Sequence, residues 1–152
     1  MMTPQEPHWK IFALASGIYL KTRRLAQKSL KPLSMTWPQF GALLNLSRGD
    51  NITQKELATR LEGDTTTTMV LCDSLEKKGW LKRVKDSSDR RINRLQLTQE
   101  GKTVFSKAYP IMMTMYKIFA EEISAEKIKA ALPVLEELYD LIKNQYQLEF
   151  TK

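Results

Sequence analysis

Thr53-Gln54-Lys55-Glu56 has the form of a capping box, in which a hydroxyl and a carboxylate three residues apart satisfy each other's free backbone donors. That pairing marks a helix start. Gly63 stops this helix after Leu61, Asp64 can cap another from Thr65 to Lys78, and Gly79 stands where a left-handed terminator belongs. Two short helices on either side of Glu62-Gly63-Asp64 leave few choices of fold, because neither buries its apolar side alone. In the later helix Thr68, Leu71, Cys72 and Leu75 follow the i, i+3, i+4, i+7 spacing of a buried face. Thr65, Thr66, Thr67, Met69, Val70 and Asp73 then turn partly or wholly outward.

Leu81–Lys85 and Ile92–Leu97 are short, partly alternating segments separated by Asp86-Ser-Ser-Asp89, which has turn composition and predicts a hairpin. Its charge is distinctive. The whole chain carries +7, yet residues 77–94 alone hold eight basic groups against two acidic ones, a density that suits a polyanion, with a merely solvated charged face as the competing reading.

The flanking segments read as helices. One runs from His8 to Lys31 and stops before Pro32; the next starts at Thr36, tolerates Pro38 in its first turn and ends near Gly49-Asp50. Thr98 caps a fifth helix with Phe105, Ala108, Met112, Met115 and Phe119 at helical spacing around Pro110. Ser124 begins a sixth, with Ile128, Leu132, Leu135, Tyr139, Ile142 and Tyr146 spaced by three or four around Pro133. The fold class is mainly α, strictly α+β: a winged helix-turn-helix with a two-stranded wing, flanked by terminal helices whose dimerisation role the resemblance below implies.

Several function classes are excluded by inventory. One cysteine and one histidine, His8, cannot supply a four-ligand structural zinc site or an internal disulfide, so no metal is expected and a reducing cytoplasm fits. With no glycine-rich phosphate loop and only surface pairs such as Glu121-Glu122 and Glu136-Glu137, no catalytic set can be named; the chain reads as a non-enzyme without cofactors. The apolar run Ile11–Leu20 is too short to span a bilayer, and Ile11, Leu14, Ala15 and Ile18 sit at helical spacing, so no membrane partner is expected.

A winged helix-turn-helix puts its second helix in the DNA major groove. Four consecutive threonines followed by Met69 and Val70 are poor helix formers for a merely solvated face, but hydroxyls and methyls suit phosphates and thymine methyl groups. A threonine-rich first turn that serves only capping stands beside that reading.

Residues 36–101 resemble the MarR family, the multiple-antibiotic-resistance type of transcriptional regulators. The resemblance is carried by Thr53-Gln54-x-Glu56-Leu57-Ala58, by Leu75-Glu-Lys-Lys-Gly79, and by Asp89-Arg90-Arg91 followed by Leu97-Thr98-Gln-Glu-Gly101. It implies a homodimer whose first, fifth and sixth helices interlock (residues 1–35 and 99–152). It also implies a DNA-binding domain at 36–98 that reads a pseudo-palindromic double-stranded operator. Gln54, Lys55, Thr65, Thr66, Thr67, Met69 and Val70 are then the groove-facing set. The wing's minor-groove arginine falls on Arg91, oriented by Asp89, with Arg90 its close competitor, while Lys82, Arg83, Lys85 and Arg94 lie against phosphates. A purely structural Asp89–Arg91 pair is the competing reading. Position 70 departs from the pattern: relatives often carry a basic side chain there, so Val70 shifts readout toward methyl contacts and shape.

The resemblance also implies repression released by a small hydrophobic or phenolic effector. Trp9, Phe12, Tyr19, Trp37, Phe40, Met112, Met115 and Tyr116 are candidates to line its pocket, with ordinary dimer core as the competing assignment for each. Cys72, on the core face, reads as a buried inert thiol rather than an oxidant sensor. A winged-helix module for protein–protein contact, without DNA readout, is the alternative function.

Overall fold

The computed structural model describes residues 7–49 and 51–150; Asp50 and the side chains of His8, Phe119 and residues 146–150, Tyr146 included, lie outside the description. The chain divides into two compact units, one up to Met113 and one from Thr114.

The first unit holds α1 (Pro7–Leu30), a 3-10 turn at Lys31–Leu33, α2 (Trp37–Arg48), β1 (Ile52–Thr53), α3 (Gln54–Arg60), α4 (Thr65–Lys77), β2 (Leu81–Lys85), β3 (Asn93–Leu97) and most of α5 (Gln99–Glu122). Local signals place these ends. Pro32 confines the chain after Leu30 to a 3-10 turn, and Ser34 turns the corner in the left-handed region at φ 51. Thr36 caps α2 through a second capping box, with Gln39 as its reciprocal partner. The hydroxyl of Thr98 accepts from the Gly101 amide at 3.0 Å and starts α5.

Apolar residues from every helix of this unit and from the strands make its core. Leu30, Met35, Phe40, Leu43, Leu46, Leu57, Leu75, Leu95 and Met112 are all but fully buried, each large side chain contributing about 2 kcal/mol by leaving water. Gly101 lets α5 approach the turn between α4 and β2 closely: a β-carbon there would stand 2.0 Å from the Trp80 carbonyl oxygen.

The wing hairpin has the expected two strands, β2 and β3, and belongs to a three-stranded antiparallel sheet in the order β1-β3-β2, whose short β1 the sequence does not announce. Ile52 and Thr53 pair with Leu95 and Arg94. A two-residue strand has no periodicity to read, and its membership depends on a partner more than forty positions away. β3 begins at Asn93, one residue later than expected, because the Ile92 backbone closes the turn through bonds to Asp86 and Asp89. Register sets Leu81 opposite Leu97 and Arg83 opposite Leu95 on one face, with Lys82 opposite Gln96 and Val84 opposite Arg94 on the other.

The second unit consists of the end of α5 and α6 (Ala125–Phe150), and both helices continue through their internal prolines, Pro110 and Pro133. In α6 the row Ile128, Leu132, Leu135, Tyr139 and Ile142 is exposed, as are Leu14 and Ile18 of α1. Among the described residues no helix is long and apolar enough to cross a membrane.

Candidate nucleic-acid interface

The chain ends α3 before Gly63 and turns to α4 through a non-glycine left-handed residue. Glu62, at φ 53, takes the left-handed position just before Gly63, and Gly63 donates its N–H to the Ala58 carbonyl at 3.0 Å while Glu62 donates to Thr59 at 3.2 Å. This two-bond arrangement ends a helix equally well with a non-glycine at its left-handed site, at some cost in strain. Gly79 does occupy the corresponding position after α4, at φ 72.

Asp64 caps α4, accepting from the Thr67 amide and the Thr67 hydroxyl, both at 2.7 Å; these bonds hold its carboxyl below the usual carboxylate range. The Thr68 hydroxyl donates to the Asp64 carbonyl at 2.8 Å and is buried. The threonine run therefore divides. Thr67 and Thr68 fasten the first turn, whereas Thr65 and Thr66 present exposed side chains. One turn further along the same face Met69 is exposed and Val70 is 62% exposed, an apolar pair on a helix whose opposite side is core.

Arg83 lies on the sheet face that carries Leu81, Leu95 and Leu97, and its guanidinium reaches Asp73 at 2.6 Å and Glu76 on α4, with Gln54 of α3 at 3.4 Å. It is thus committed inside the chain, tying wing to helix, instead of being open to phosphate as expected. Strand alternation carried that signal, since residues 81, 83 and 85 share a face. Arg94 departs from expectation in the same way: it pairs with Asp86 and donates to the Asn51 carbonyl at 3.0 Å. Asp86 also accepts from the amides of Ser88 at 2.8 Å and Asp89 at 3.0 Å, which builds the wing's turn. The Ser88 hydroxyl and the Arg94 guanidinium hold its carboxyl far below the ordinary range. Turn composition alone does not announce this role of Asp86, although an aspartate followed by serine at i+2 has the form of such a side-chain-capped turn.

Beyond that turn Asp89 and Arg91 form a two-bond pair, Nε to Oδ1 at 3.1 Å and Nη2 to Oδ2 at 3.0 Å, and the Arg91 side chain is 91% exposed. Lys82, Lys85 and Arg90 are exposed on the same wing, and Lys55 is exposed on α3, with Gln54 half-buried beside it. An open groove of about 380 Å³ lies between Gln54, Lys55, Arg83, Ile92 and Asn93.

The eight candidate effector-lining residues are not part of that groove. Phe40 and Met112 have essentially no surface open to solvent and belong to the core, with Phe40 stacked between Trp37 (6.0 Å) and Phe105 (5.9 Å). Met115 is buried as well, while Trp9, Phe12, Tyr19 and Tyr116 are exposed. Cys72 is fully buried, and burial pushes its thiol up to about 11, where no reactive thiolate forms near neutrality. Among the described residues no group of three or more His, Cys, Asp or Glu is placed to hold a metal ion.

Residues 35–93, which span α2, α3, α4 and the wing turn, match the MarR family. Over 112 residues the chain is 30% identical to an HTH-type transcriptional regulator of Bacillus subtilis, YfiV, covering 74% of this chain and 70% of that one. The chain belongs to the MarR family. It is also 30% identical over 108 residues to the transcriptional repressor MprA of Escherichia coli, covering 68% of this chain but 61% of MprA's length. The fold is that of a mutant Escherichia coli MarR protein solved with operator DNA: the TM-score is 0.79 at 23% identity, over 85% of this chain and 93% of the other. Within this MarR-type fold, α4 corresponds to the second helix of the helix-turn-helix and β2-β3 to the wing.

Proposed function

We propose that this chain is a sequence-specific, double-stranded-DNA-binding transcriptional regulator, a repressor released by a small hydrophobic or phenolic effector, and not an enzyme. The observation that carries the reading is the pairing of two exposed elements. Thr65, Thr66, Met69 and Val70 face outward on α4, and the Asp89-held guanidinium of Arg91 stands out from the wing. Hydroxyls and methyls suit the major groove, while a fixed exposed guanidinium suits the negative potential of a narrow minor groove. Lys55, Lys82, Lys85 and Arg90 supply phosphate contacts; Arg83 and Arg94 hold the module together.

Residues 1–35 and 99–152 form the dimerisation region, and residues 36–98 the DNA-binding domain. The apolar rows left exposed on α1 and α6 support a homodimer, which in turn matches a pseudo-palindromic operator. A regulator of this kind works in the cytoplasm. MprA's description as a repressor and the operator DNA bound by the Escherichia coli MarR protein support the direction of regulation and the partner.

Selection from a randomised duplex library at several salt concentrations tests the proposal. Enrichment of a two-fold-related site, with Thr66→Ala and Val70→Ala each relaxing preference at separate positions by about 1–3 kcal/mol, is the expected result. Recovery of no common sequence would move the protein-contact module ahead.

A further inference from the structure

The end of α4 away from the proposed reading face is fastened to the joint between α1 and α2 by a line of polar groups. Lys78, the residue that closes α4, sends its ammonium to the Ser34 carbonyl and to Gln39 Oε1 at 3.0 Å, and lies 4.5 Å from the centre of the Trp80 ring. Ser34 is the left-handed corner of the joint. Gln39, 4% exposed, is engaged at both ends of its amide. Its oxygen also accepts from the Thr36 amide at 3.0 Å, and its nitrogen donates to Ser74 Oγ of α4 at 2.7 Å. Across the joint Gln27 of α1 repeats the pattern, donating to the Met35 carbonyl at 3.3 Å and accepting from the Trp37 amide at 3.1 Å. The line thus runs from α1 through the joint to the last turn of α4.

A partly desolvated ammonium keeps its acceptors because losing them leaves a charge without compensation. Burial lowers the Lys78 pKa from its ordinary value, in keeping with such a setting. The leverage is large. A 13-residue helix is roughly 20 Å long, so a turn of ~10° about the Lys78 end displaces Thr65 and Thr66 by roughly 3 Å, enough to break contacts with base edges.

We propose that Lys78 is a positioning residue which sets the angle of α4 against the α1–α2 joint, and so determines sequence discrimination without touching DNA. The inference rests on the DNA-binding reading above.

Lys78→Met and Lys78→Arg in the full chain test it by two independent measurements. The first is amide hydrogen exchange in the free protein. Lys78→Met speeds exchange at least tenfold at Gln39 and in the last turn of α4, and Lys78→Arg, which keeps a donor for both acceptors, restores most of the protection. The second is the ratio of affinities for a library-selected duplex and an unrelated duplex. It falls at least tenfold in Lys78→Met, while affinity for the unrelated duplex and its salt slope stay within twofold of wild type.

Unchanged exchange, or an unchanged ratio, overturns the proposal. Equal loss on both duplexes with a salt slope lower by about 0.9 overturns it too, because Lys78 is then a phosphate contact. A wild type that shows no sequence preference refutes the DNA reading, and with it the claim on discrimination, while the exchange measurement still decides whether Lys78 couples the joint to α4. Should Lys78→Met fail to fold, Ser74→Ala, which removes the Gln39 link on the same helix, carries both measurements with the same expected outcomes.

Discussion

Asp89 grips Arg91 side-on, with two hydrogen bonds of 3.1 and 3.0 Å, and its Oδ1 also accepts from the Arg91 amide at 2.9 Å. The carboxylate therefore orients a cation that is otherwise surrounded by solvent. Simple electrostatics says that removing an acid from a DNA-binding face strengthens binding. The geometry says the reverse: Asp89→Ala should weaken operator binding several-fold by releasing the guanidinium. Arg91→Ala should weaken it further and lower the salt slope by about 0.9 if a phosphate contact goes with it. Fluorescence titrations on A·T-rich and G·C-rich flanks check both.

Arg83→Ala should behave differently. Its guanidinium is shared between Asp73 and Glu76, so removal frees two carboxylates on α4 and should cost about 1 kcal/mol of stability in a urea melt. Lys82→Ala, on the opposite sheet face, should leave the melt within about 0.5 kcal/mol and reduce affinity for any duplex.

Gly101→Ala should destabilise the chain by about 1–3 kcal/mol, because the added methyl meets the Trp80 carbonyl oxygen, a backbone atom that cannot swing aside. The urea midpoint should fall while the folded protein keeps its helical circular dichroism.

The buried Cys72 thiol gives a pH test whose sign is fixed. Its pKa rises on folding from 9.0 to about 11, so between these values the unfolded chain binds fewer protons than the folded one. The thiol's contribution is intact below about pH 9 and fades as pH climbs toward 11. Comparing alkaline melts of wild type and Cys72→Ala should reveal the extra loss in wild type. A thiol reagent at pH 8 should label Cys72 only after unfolding, and peroxide should leave DNA binding unchanged.

Leu132→Asp with Leu135→Asp places two charges on the exposed row of α6. Sedimentation should find the wild type as a dimer and the double variant as a monomer or aggregate, with its winged unit still helical.

Much of this fold was legible because its decisive signals are local. The capping box at Thr53, the cap at Asp64 and the stop at Gly79 each act within four residues of their partners, and each stands where the pattern put it. The rest depended on distant partners or on a choice among near-equal local conformations. Ile52-Thr53 becomes a strand only because Leu95 is there to receive it. The left-handed turn before α4 falls on Glu62, one residue ahead of Gly63, where a glycine would take it at lower cost. Among the wing cations, counting charge treated Arg83 and Lys82 alike, whereas parity along the strand sends one inward to α4 and the other to solvent. The effector set was the least legible, because an aromatic at helical spacing suits the core, as Phe40 does, as well as a cavity.

Thr53 belongs to two elements at once, the last residue of β1 and the cap of α3, with no linker between them. The sheet that carries the wing is thereby joined directly to the start of α3, and Arg83 ties its other edge strand to α4. On the proposed function such a body would act as a ruler, the distance between its α4 face and its wing set in advance. If the chain reads DNA as proposed, a duplex whose twist or groove width does not fit the ruler must itself be deformed to be held, and the elasticity of base-pair steps that no side chain touches then enters the discrimination.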